Sequence, residues 1–262
     1  MTLDKSALCG GRPMSNRKIN VTIYNEDYPD YHPEEVKEAY PNGIHGVLSE
    51  ILEREDCLGK LRIATFETHR EILTQEVLDD TDVLVWWSHK QQQEVDDRVV
   101  SMAALRVLRG MGFVALHSAH ASKLFQKLMG TETYMLRWRV AGERARLWTV
   151  ENNHPIAEGI PETFVVPHDE TYGEPFGIPQ PDELVFLSWF QGGEVFRSGC
   201  TWKRGEGKIF YFQNGHETYP VYYQPEVQRI FANAVKWASP VKRCCMVDRG
   251  GRNAPPMELA NT

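Results

Sequence analysis

Between residues 19 and 117, short apolar runs alternate with amphipathic ones, and this alternation limits the fold more than any other feature of the sequence. The runs at 19–24, 62–66, 83–87 and 113–117 have the length of strands. Between them helices are predicted over 44–55, after Thr74, and over 94–109. Val47, Leu48, Ile51 and Leu52 share one helical face, and Val99, Val100, Ala103, Ala104, Val107 and Leu108 share another. Continuous apolar strands linked by helices predict a parallel sheet covered on both faces.

The second half reads as strands at 146–150, 184–189, 195–201 and 208–213, closed by a helix over 225–237. Gln191-Gly192-Gly193-Glu194 and Arg204-Gly205-Glu206-Gly207 carry the turn chemistry of hairpin connections. Residues 1–17 and 240–262 lack periodicity and read as tails, which leaves one α/β body over 18–239.

Lys and Arg number 29 against 36 Asp and Glu, a formal net charge of -7, which argues against a nucleic-acid partner. No run is long and apolar enough to span a bilayer, and the first residues lack the apolar core of a signal peptide. Cys9, Cys57, Cys200, Cys244 and Cys245 form no metal-ligand spacing and no even disulfide framework. Free thiols in the cytoplasm are the expectation.

Ligands of open parallel sheets bind outside the carboxyl ends of the strands. Histidines and acids recur at those positions: Asn25-Glu26-Asp27 and His32-Pro33, Ser88-His89, His117-Ser118-Ala119-His120, and Asn214-Gly215-His216-Glu217. His45 fits a structural role better, and His69 is ambiguous. His168-Asp169-Glu170-Thr171-Tyr172 reads as a short loop between Pro167 and Pro175, able to offer a metal ligand, an acid/base group or hydrogen bonds to sugar hydroxyls. Trp202 is the one tryptophan read as a sugar-stacking surface; Trp86, Trp87 and Trp189 read as core. GFVALHSAH has the form of a nucleophile elbow without G-x-S-x-G, and it raises Ser118 as a nucleophile.

These landmarks, with Asn153-His154-Pro155-Ile156, Thr201-Trp202, Gly205-Glu206-Gly207-Lys208 and Asn233-Ala234-Val235-Lys236-Trp237, give the chain a resemblance to the ThuA-like (trehalose utilisation) family of the class I glutamine amidotransferase-like superfamily. The resemblance implies a flavodoxin-like three-layer sandwich with a mainly parallel central sheet. It also places His117 or Ser118 where amidotransferases carry a nucleophilic cysteine, so glutamine hydrolysis is not expected. It suggests metabolism of a disaccharide or a keto-sugar derivative.

The expected catalytic set is His117, Glu170 and His216, which could also ligate Zn²⁺ or another divalent ion; His32, His89, Ser118, Asp169, Tyr172 and Trp202 are expected around the substrate. No nucleotide cofactor is evident. The partner expected is a small carbohydrate derivative rather than nucleic acid or membrane, and a homo-oligomer is left open. The rivals are a non-catalytic sugar-binding module and a serine hydrolase using Ser118.

Overall fold

The computed structural model describes residues 18–28 and 33–241; the two predicted tails and His32 lie outside the described residues, apart from 240–241. The first half alternates as its pattern requires: β1 (Ile19–Asn25), α1 (Glu34–Ala39), α2 (Gly43–Glu53), β2 (Leu58–Ala64), α3 (His69–Ile72), α4 (Gln75–Asp80), β3 (Val83–Trp87), α5 (Asp97–Leu108) and β4 (Gly112–Leu116). Thr74 caps α4 by accepting from the Val77 amide, and Asp96 caps α5 by accepting from Arg98. Beyond β4 come a 3-10 turn (His117–Ala121), α6 (Lys123–Met129), β5 (Arg137–Thr149), β6 (Thr163–Gly173), β7 (Glu183–Phe190), β8 (Val195–Arg204), β9 (Gly207–Phe212) and α7 (Pro225–Ala238).

One nine-stranded sheet runs in the order β2-β1-β3-β4-β9-β8-β7-β5-β6. Its first five strands pair parallel, and the 2-1-3-4-5 order of flavodoxin-like sheets is reproduced there with β9 in fifth place. The remaining pairings are all antiparallel. The expectation of a mainly parallel sheet is therefore corrected to a mixed one: both glycine-rich turns close hairpins, β7 to β8 and β8 to β9, and each hairpin reverses chain direction.

Two further corrections concern β2 and β6. The second strand starts at Leu58, four residues before the apolar run, because Ile19 of β1 pairs with Leu58. Residues 168–172 belong to β6 rather than to a loop, paired with β5 from Arg137↔Gly173 to Glu143↔Asp169. The β5–β6 ladder shifts register twice, between Arg139 and Glu143 and between Glu143 and Ala145. Such bulges bend a strand pair. The outer edge strand returns over the sheet, and the Gln213 side-chain amide donates to the Glu170 carbonyl at 3.1 Å.

Candidate functional site

The carboxyl ends of β1, β3, β4 and β9 in the parallel half supply the site, and β6 of the antiparallel half adds Glu170. At the end of β4 the chain turns sharply into the 3-10 segment, and His117 takes up φ 52, a left-handed conformation rare for a residue with a Cβ. The strained position of the elbow is thus His117, not Ser118. The His117 ring lies between Trp87, centroids 6.2 Å apart, and Tyr172, 5.6 Å apart. Its Nδ1–H donates to the Gln213 carbonyl at 2.9 Å, which leaves Nε2 with the lone pair.

Nε2 of His117 lies 3.1 Å from Glu170 Oε2, and the two are misaligned for a hydrogen bond. Neither atom has another partner, and the same holds for His216 Nε2. Ligand atoms of His117, Glu170 and His216 fall within 4.8 Å of one another, and all three residues are buried. Two imidazoles and a carboxylate converging with unused lone pairs fit a divalent cation, the donor set that Zn²⁺ takes. A buried polar atom without a partner is otherwise costly.

His216 is set by Thr218, whose hydroxyl lies 2.8 Å from Nδ1 and whose amide lies at 3.2 Å. When Nδ1–H donates to that hydroxyl, Nε2 keeps its lone pair for a metal; when Nδ1 accepts from the amide, Nε2 carries the hydrogen. A second cluster, His89, His216 and Glu217, also has metal-ligand spacing. There Glu217 Oε1 is already bonded to His89 Nδ1 at 2.5 Å, which engages one atom of each of those two residues and leaves Glu217 Oε2 buried without a hydrogen-bond partner.

The charges are strongly coupled. Burial would lower the pKa of His117, but Glu170, with Asp169 and Glu217, outweighs it and raises the value. Burial would raise Glu170, and His117 overrides it downward. His216 is pushed down to about 4 by burial and by the charge of His117. Burial also opposes ionisation of Glu217, yet the bond from His89 brings it down to about 2.

The surrounding residues support this set. Asp169 is fully buried; its Oδ2 accepts from Asn214 Nδ2 at 2.9 Å and the Gly215 amide at 3.2 Å, and its Oδ1 from the amides of His216 at 3.2 Å and Glu170 at 2.8 Å. It fixes the loop after β9 rather than facing a ligand. Tyr172, 2% exposed, bonds Ser118 Oγ through its hydroxyl at 2.9 Å. Ser118 therefore has a phenol, not a histidine, as its partner. Trp202 belongs to the core: it is 1% exposed, packs edge-on against Phe125, and donates Nε1–H to the Pro179 carbonyl. The elbow holds no cysteine, and buried Cys200 has its thiol pushed up to about 12 by burial.

A cleft of about 320 Å³ opens between the carboxyl ends of β1 and β3, where the strand order reverses. Asn25, Glu26, His45, Trp87, His89 and Glu217 are among its lining residues. His89 joins cleft to triad, its ring centroid 5.3 Å from that of His216 and 6.0 Å from that of His117. Its backbone is held by Glu26, which accepts from the His89 amide at 3.0 Å and the Lys90 amide at 2.6 Å. Glu26 and Glu217 are not among the expected site residues, although both follow strands as the expected histidines do.

The family model for trehalose utilisation, ThuA, matches residues 20–238. The chain belongs to the ThuA family. Among solved structures it is similar to ThuA-like proteins of Parabacteroides merdae (15% identity, 85% of this chain and 90% of that one, TM-score 0.66) and Bacteroides uniformis (18%, 86% and 92%, TM-score 0.60). A cytoplasmic protein of Salmonella typhimurium is also similar (12%, 84% and 98%, TM-score 0.56). No curated protein matches at a significant level. The ThuA family implies a role in carbohydrate metabolism. No described helix is long and apolar enough to cross a membrane.

Proposed function

We propose that this ThuA-family chain is an enzyme that acts on a disaccharide or keto-sugar derivative through a divalent-metal site made by His117, Glu170 and His216. One observation carries the reading: the three buried residues offer ligand atoms within 4.8 Å of one another, and each has a buried atom without a hydrogen-bond partner, His117 Nε2, Glu170 Oε2 and His216 Nε2. A bound ion such as Zn²⁺ supplies Lewis acidity toward a keto or hydroxyl oxygen. The chain's own groups do the rest. The Gln213 carbonyl holds the His117 tautomer, Asp169 fixes the backbone that carries Glu170 and His216, and His89 stands between triad and cleft with Glu217 on its Nδ1. Proton transfer in the reaction is assigned to His89, whose Nδ1 is engaged by Glu217.

The 3.1 Å contact between His117 and Glu170 supports a second reading, in which the pair acts as general acid and base without an ion. Elemental analysis of protein purified without a histidine tag separates the two. About one Zn²⁺ or similar ion per chain, lost in His117→Ala and in Glu170→Gln, supports the metal site. Protein that stays metal-free after incubation with divalent ions overturns it in favour of the second reading.

A further inference from the structure

The cleft beside the triad has walls with a consistent chemical bias, and its role as a sugar subsite rests on the carbohydrate function proposed for the chain. Asn25 and Glu217 line it and are 1% and 3% exposed. Asn25 uses its Nδ2 on His45 Nδ1 at 2.9 Å, and Glu217 uses Oε1 on His89 at 2.5 Å. Asn25 Oδ1 and Glu217 Oε2 are left buried and without a hydrogen-bond partner. Both leftover atoms are acceptors. A ligand that satisfies them must bring donors, as hydroxyls do and as a carboxylate or a phosphate dianion does not.

Charge points the same way. Glu26, Asp27 and Glu217 line the cleft, against one lysine, Lys37, and two imidazoles, His45 beside Asp27 and His89 on Glu217. The Lys37 side chain is 59% exposed and 4.0 Å from Glu34. Tyr28 adds part-exposed ring surface of the kind that packs on the apolar face of a pyranose, whereas Tyr40 and Trp87 are 2% and 5% exposed and serve as the floor of the cleft. We propose that this cleft is a subsite for an uncharged, hydroxyl-bearing sugar ring and that it rejects rings carrying a carboxylate or a phosphate. A divalent ion at the triad would attract anions, so the rejection concerns the ring lodged in the cleft.

The test is titration calorimetry on the full zinc-supplemented chain with three probes. These are trehalose; its diuronic acid, in which both primary hydroxyls are oxidised so that one anion enters the cleft in either orientation; and the corresponding diamide, uncharged and nearly the same size. Trehalose and the diamide should bind comparably, and the diacid on the order of tenfold more weakly at low salt. That gap should narrow at high salt and in Asp27→Asn, a part-exposed position. A diacid that binds as well as trehalose, a diamide weakened as much as the diacid, or a gap unmoved by both salt and Asp27→Asn overturns the proposal and leaves the carbohydrate reading standing. If none of the three binds, the subsite is overturned, while a keto-sugar substrate for the triad is tested separately by turnover.

Discussion

His117 occupies a left-handed backbone position that glycine would take without penalty, and its imidazole is held from both sides. The strain and the metal affinity can therefore be separated by substitution. His117→Ala should cost about 1 kcal/mol more stability than His117→Gly, because only alanine carries a Cβ into the left-handed region. Urea unfolding of the two variants measures the difference, and both should lose the ion. Asp169 is the second residue with a clear test. Its carboxylate accepts from three backbone amides and the Asn214 side chain, so Asp169→Ala should destabilise the fold by about 2–4 kcal/mol in the same assay and also weaken metal binding. The histidines of the site were legible in the sequence because each follows a strand of a parallel sheet. The work of Asp169, the pairing of Ser118 with Tyr172 and the burial of Trp202 were not, because each depends on where a side chain points after the antiparallel half has bent back.

At the scale of elements, the predicted strand–helix alternation is present through β4, since apolar runs and helical faces there follow from local periodicity. The segment that local pattern does not reveal is β6. Its polar residues 168–172 have the composition of a loop, and they form a strand because β5 supplies a backbone ladder while their side chains meet the strand ends across the site. The hairpins were legible from their glycines, and the structure adds a second reason for those residues. Gly205 has φ 59, and a Cβ there would strike the carbonyl oxygen of Leu108; a Cβ on Gly207 would strike that of Val107. The β8–β9 turn is thus packed on the end of α5. Gly207→Ala, which changes no turn conformation, should still cost about 1–3 kcal/mol through overpacking. Denaturant titration checks this, and an effect below about 0.5 kcal/mol would show that the α5 terminus moves aside freely.

For the whole molecule, the site makes stability depend on pH in a direction that can be worked out. His120 is buried beneath the elbow, its Nδ1 3.2 Å from the His117 carbonyl, and burial holds its pKa down at about 4; His216 lies at about 4 for related reasons. In the unfolded chain both titrate near 6.5. As pH falls from about 6.5 toward 4 the unfolded state takes up these protons first, so the folded state loses stability across that window, and the loss levels off below it. His117, with its raised value, contributes the opposite sign: its stabilisation is full at low pH and is lost as pH rises through its folded pKa. His154, also depressed, adds to the loss, while Asp169 and Glu26, whose pKa values burial raises, act with His117 against it. The three depressed histidines set the expected direction, a net fall on acidification. Calorimetric melting of the metal-free chain should show a lower Tm at pH 5 than at pH 7. His120→Gln, which keeps a donor for the His117 carbonyl but cannot titrate, should reduce that difference. If the Tm difference between the two pH values is the same in His120→Gln, the buried imidazole beneath the elbow is not what makes the fold acid-sensitive.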